Sequence, residues 1–150
     1  MIKVATLWLV NELGEVLLAQ RSHKKEKDPG VWGPSVTGRL EPGEGAEDAL
    51  LREVEEELNL KPSDYEPHFL IELEFSHPDG EKRHFYVYYA IIPKAKSADI
   101  RVQESEVEGI EWFPFVDIQT RMKQRPNELV ASANDIWPST FKALQNARVL

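Results

Sequence analysis

The stretch from Val4 to Val10 constrains the fold most, because it is apolar on both faces that an extended chain presents. Successive strand side chains alternate sides, so Val4, Thr6, Trp8 and Val10 share one face and Ala5, Leu7 and Leu9 the other. Such a strand belongs inside a sheet that is covered above and below. Asn11–Gly14 then reads as a turn, and Glu15–Arg21 as a second strand closing a hairpin on the first. Ser22–Gly30 is a polar, strongly charged loop, and Val31–Leu40 is a short segment interrupted by Gly33, Pro34 and Gly38.

After the turn Glu41-Pro42-Gly43-Glu44-Gly45, the periodicity changes. Ala46, Leu50, Val54 and Leu58 recur every four residues, which predicts a helix with one stripe on a core. Asn59 tolerates the left-handed conformation that closes a helix, and Pro62 prevents continuation. Beyond it, Phe69–Phe75 and Arg83–Ile92 read as strands joined by the turn His77-Pro78-Asp79-Gly80. Glu108–Phe113 reads as a short strand. Pro114–Met122 and Pro138–Ala147 read as helices, each opened by a proline near its first turn. Interspersed strands and helices in 150 residues predict one α/β (α+β) domain spanning 1–150.

The chemistry concentrates on the first helix. Glu53, Glu56 and Glu57 stand at i, i+3 and i+4, so three carboxylates share a face and repel one another. Acidic helix faces are usually just solvated faces, and glutamate is a good helix former. A hard divalent cation, magnesium or manganese, reverses the repulsion, because both ions prefer oxygen ligands. Glu44 lies just ahead of the helix, and Arg52 can pair with Glu56. The chain has no cysteine, which excludes disulfides, cysteine-ligated zinc, iron–sulfur clusters and a thiol nucleophile. A net charge of -8 disfavours long nucleic acid as a partner. No stretch is long and apolar enough for a membrane span, so the expected location is the cytoplasm.

Gly38, Glu44 and Arg52-Glu53-Val54-Glu55-Glu56-Glu57-Leu58-Asn59-Leu60 together resemble the Nudix box, G-x5-E-x7-R-E-U-x-E-E-x-G-U, where U is a bulky aliphatic residue. Gly38, Glu44, Arg52, Glu53, Glu56 and Glu57 match the fixed letters, and Val54 and Leu60 the aliphatic ones. Asn59 stands in place of the second glycine.

The resemblance implies an α/β/α sandwich around a mixed sheet, and hydrolysis of a diphosphate linkage in X–diphosphate–Y compounds with magnesium or manganese. By position it implies Glu56 and Glu57 as principal metal ligands, Glu53 as ligand and candidate base, and the Gly38 carbonyl as a further ligand. It implies Arg52 as the residue orienting a catalytic glutamate, and Glu44 as part of the acidic network. Family members often recruit another acid before a late strand, and Glu106 of Glu104-Ser105-Glu106-Val107-Glu108 occupies that place. Arg21 and Lys25, in the basic stretch before the box, are candidate phosphate contacts. Trp32 is a candidate for stacking on a substrate ring, with packing under the box helix as its alternative. His77 and His84 read as turn and strand residues rather than metal ligands.

Gln20-Arg21, the lysine-rich loop and Pro29-Gly30-Val31-Trp32 are also similar to the isopentenyl-diphosphate isomerase branch. That isomerisation uses a cysteine near the box, which this chain lacks. A catalytically silent ligand sensor is the rival of another class, although no box glutamate is lost. The expected partner is a small phosphorylated substrate rather than a membrane. A homodimer stays open, because many relatives are dimers.

Overall fold

The computed structural model describes all 150 residues. Its strands are β1 (Ile2–Val10), β2 (Glu15–Arg21), β3 (Trp32–Gly33), β4 (Val36–Arg39), β5 (His68–Ser76), β6 (Lys82–Ile91) and β7 (Val107–Pro114). The helices are α1 (Ala46–Leu58), α2 (Phe115–Gln124) and α3 (Ala133–Asn146). All seven strands form one mixed sheet with the path β3-β2-β1-β6-β5, while β4 pairs with β1 and β7 with β2.

β1 is the central strand, as its doubly apolar pattern predicts. It runs parallel to β6 from Ile2↔Arg83 to Val10↔Ile91, and antiparallel to β4 from Val4↔Arg39 to Leu7↔Val36. One face carries Val4, Trp8 and Val10 into a core shared with Ile136, Trp137, Phe141 and Leu144 of α3. The other carries Ala5, Leu7 and Leu9 against Leu50, Val54 and Leu58 of α1. Trp8 meets Trp137 edge to face at 5.1 Å between centroids, a favoured aromatic geometry. Helices therefore cover both faces of the sheet, as expected for the α/β/α sandwich. No helix is long and apolar enough to cross a membrane.

Three local expectations are corrected. First, β1 and β2 do not form a full hairpin: they pair only at Val10↔Val16, and β2 instead pairs along its length with β7. Ser35 sits in the splay between them. Its hydroxyl accepts from Leu9 N–H at 2.9 Å and donates to Leu17 C=O at 2.6 Å, so both buried backbone groups stay satisfied. Second, the last helix begins at Ala133 rather than Pro138, which lies inside it. Both Pro138 and Asn134 are exposed, and the missing proline N–H takes from the Asn134 carbonyl its helical donor. Third, Ala46 is only partly buried on α1, and Ala49 takes its place in the buried stripe.

Asn59 behaves as its sequence position predicts. It adopts φ 57° and ψ 34°, with its N–H donating to Glu55 C=O at 3.0 Å, and so closes α1.

Candidate active site

α1 is held against β4 with its apolar stripe inward, which turns Arg52, Glu53, Glu56 and Glu57 toward the loops at one end of the sheet. Arg52 organises this face. Its Nε and Nη2 both donate to the Glu44 carboxylate at 2.9 Å, a two-pronged contact. Its Nη1 reaches Glu53 at 2.8 Å and Glu56 at 3.4 Å, and Nη2 also donates to Arg39 C=O at 3.2 Å. Glu56 is thus a more distant partner of Arg52 than Glu44 and Glu53, with Glu41 further still at 4.0 Å. The guanidinium holds the Glu44 carboxyl well below the usual range, first by hydrogen bonding.

The other box carboxylates are under opposite pressure. Burial raises the Glu53 pKa, with Arg52 pulling it back down. Burial pushes Glu57 up to about 8, reinforced by the charges of Glu53 and Glu106, while the Thr37 backbone amide opposes the shift. Glu57 is therefore a carboxylate whose surroundings favour an added cation.

Glu106 reaches the same place through a different route. The last carbonyls of α1, Glu57 and Leu58, accept from the N–H groups of Gln103 and Arg101 at 2.9 and 3.0 Å. This docks the loop before β7 on the helix end. Gly38, Glu53, Glu56, Glu57, Gln103 and Glu106 consequently line one cleft. Gly38 is needed there because Glu53 lies across it: a Cβ at position 38 would stand 2.6 Å from Glu53 Oε1.

The donor set fits a hard divalent cation in its chemistry, since it consists of carboxylates with a backbone carbonyl. The side chains do not yet converge as three ligands around one point. Glu53 and Glu56 turn instead to Arg52, the nearest positive charge.

The three substrate candidates separate. Arg21 lines a cavity of about 280 Å³ on the α3 side of the sheet. Lys25 does not; it forms an ion pair with Glu106 at 2.9 Å and so reaches the acidic cleft from across the loop. Trp32 is the clear departure. Its ring packs edge-on to Phe113 at 5.5 Å, within the α3-side core, and it lines neither the cavity nor the underside of α1. β3 and β7 flank β2, so these two rings meet across that strand. Local sequence carries no signal of that neighbour.

Sequence reasoning missed Thr37 and Arg39, and gave Gly38 only as a metal-ligating carbonyl, yet these three residues join the two spaces. Thr37, Gly38 and Arg39 line both the acidic cleft and the 280 Å³ cavity. The cavity floor includes Val4, Trp8, Phe85, Val87 and Trp137. His77 lies at its rim, where it accepts from Asp79 N–H at 3.1 Å; His84 is on β6, between Glu72 and Glu74.

Comparison with known proteins places this architecture. An isopentenyl-diphosphate Delta-isomerase from Paenarthrobacter aurescens (strain TC1) is 46% identical over 65 residues, which are 41% of this chain and 35% of that protein. A protein of the same name from Salmonella heidelberg (strain SL476) is 32% identical over 124 residues, 79% of this chain and 65% of that protein. The chain thus spans between 35% and 65% of the length of these curated relatives. The crystal structure of a C. elegans Ap4A hydrolase binary complex shares the fold with a TM-score of 0.72 at 20% identity, covering 99% of this chain and 98% of that one. A family model described as the NUDIX domain matches residues 2–133, across both the acidic helix and the sheet that presents it, and the chain belongs to that family.

Proposed function

We propose that this protein is a metal-dependent hydrolase that cleaves a diphosphate linkage in an X–diphosphate–Y compound, such as a substituted nucleoside diphosphate, by attack of water at phosphorus. The observation that carries the reading is the junction at Thr37, Gly38 and Arg39. There, a cleft of glutamates adjoins a cavity with an apolar floor and a cationic rim. Phosphate chemistry and organic recognition are thereby adjacent.

Glu53, Glu56, Glu57 and the Gly38 carbonyl are the residues suited to hold magnesium or manganese, which when bound neutralises the diphosphate and acidifies a water. Arg52 positions Glu53 through the 2.8 Å contact, and Glu44 fixes Arg52 from the other side. Glu53 and Glu106 both face the cleft as candidate bases for the water's proton. Lys25 holds Glu106 by its ion pair, so its contribution to phosphate binding is indirect. Arg21 contributes charge at the cavity.

The isomerase names of the relatives raise a second chemistry, but a chain without cysteine has no thiol to serve an isomerisation that requires one. The test is a panel of nucleoside triphosphates, ADP-ribose, dinucleoside polyphosphates, nucleotide sugars and prenyl diphosphates, each with magnesium, manganese or EDTA. Metal-dependent release of phosphorylated products is expected for at least one. Binding without turnover across the panel would instead identify a sensor.

A further inference from the structure

The chain carries a net charge of -8, yet the 280 Å³ cavity is lined by Arg21, Lys27, Arg39 and Arg83 against only Asp28 and Asp79. Arg83 is already closed on Asp79 at 2.9 Å. Arg21, Lys27 and Arg39 have no carboxylate oxygen within 4.0 Å. Three uncompensated cations at one cavity of an acidic protein repel one another, a cost that an anionic ligand removes.

Two of them are anchored. Arg21 donates Nε to Lys27 C=O at 2.6 Å, which ties its guanidinium to the loop and leaves both terminal nitrogens for a ligand. Arg39 lies on β4 opposite Val4, and its carbonyl accepts from Arg52. Its backbone is therefore held between sheet and α1, while its side chain is exposed at the junction of cavity and cleft.

We propose that Arg39, Arg21 and Lys27 form a phosphate subsite of the cavity, which adjoins the glutamate cleft at Arg39. It takes the phosphoryl group that bears the organic substituent of a diphosphate. The substituent then enters the cavity over Val4, Trp8, Phe85, Val87 and Trp137, and the other phosphoryl group extends into the cleft. This deepens the hydrolase reading and rests on it for the orientation, but the subsite binds phosphate whether or not turnover occurs. The ligand class is an organic diphosphate whose substituent is apolar or aromatic, because the floor is.

The test is calorimetric titration of inorganic pyrophosphate into the full chain in EDTA, where the unmetallated glutamate cleft repels the anion. Wild type is expected to bind. Arg39→Gln should weaken binding about tenfold or more, the scale of one lost charge-assisted contact, and Arg39→Lys should keep part of it. Lys24→Gln removes one positive charge from the loop that carries Lys27, at an exposed residue that does not line the cavity, and should leave binding within about twofold. No pyrophosphate binding by wild type, undiminished binding by Arg39→Gln, or equal loss in Lys24→Gln overturns the subsite. With any hydrolysed panel compound, Arg39→Gln should raise KM by a similar factor and change kcat less. Failure of the whole panel would count against the hydrolase while leaving the pyrophosphate result to be read separately.

Discussion

Gly38→Ala is the most direct probe of how the acidic cleft is built. Gly38 has no positive φ, so its backbone accepts alanine, and any effect must come from the added methyl. That methyl would stand 2.6 Å from Glu53 Oε1 and nearer still to its Cγ and Cδ. An ordinary carbon contact is ~3.5 Å, so the Glu53 side chain must retreat by about an ångström. It is packed between β4 and Arg52, with only 16% of its side chain exposed, and retreat breaks the 2.8 Å contact. Overpacking of this kind costs about 1–3 kcal/mol, while alanine's smaller unfolded-state entropy returns about 0.4–1 kcal/mol. The expected net loss is roughly 0.5–2 kcal/mol in urea unfolding with EDTA at pH 7. Metal-dependent turnover should fall about a hundredfold from misplacement on this scale. In a Glu53→Ala background the obstacle is gone, and Gly38→Ala should be neutral or stabilising. The two substitutions should therefore couple by about 1–3 kcal/mol. Additivity within about 0.5 kcal/mol would refute the claim that Gly38 exists to make room for Glu53.

The remaining expectations concern charge and capping. Glu57 has a folded pKa raised from 4.5 to about 8, so the metal-free protein should be most stable below pH 4.5 as far as this group is concerned, losing that contribution as pH rises through 8. Allowing for residual solvent contact, the loss is on the order of 2 kcal/mol, and thermal melts in EDTA at pH 6 and 8.5 measure it against Glu57→Gln, in which it should vanish. The same variant should lose at least about a hundredfold in turnover with magnesium; wild-type rates would remove Glu57 from the metal assignment. Because the carboxylates must be ionised to bind metal, the melting-temperature gain from manganese should grow from pH 6 to pH 8, and a pH-independent gain would count against this site. Asn59→Gly should change stability by less than about 1 kcal/mol in urea unfolding and leave turnover intact, since φ 57° suits both residues. Lys25→Met should also cost less than about 1 kcal/mol, the pair with Glu106 being partly exposed, yet should lower kcat more than it raises KM.

Much of the molecule follows from local rules. The two faces of Val4–Val10, the α1 stripe at Leu50, Val54 and Leu58, and the closing turn at Asn59 each follow from side-chain alternation, helical period or tolerance of positive φ. The acidic face of α1 is legible for the same reason, because i, i+3 and i+4 positions are neighbours wherever the helix packs. What tertiary structure alone decided concerns partners distant in the chain. β2 exchanges a hairpin for β7, Trp32 meets Phe113 across β2, Lys25 closes on Glu106, and α3 starts well before its proline. Arg39 acquires its place only because β4 pairs with β1 beside α1, making one strand the wall of both cleft and cavity. Periodicity specifies which side of an element faces inward; only long-range strand pairing decides what stands opposite.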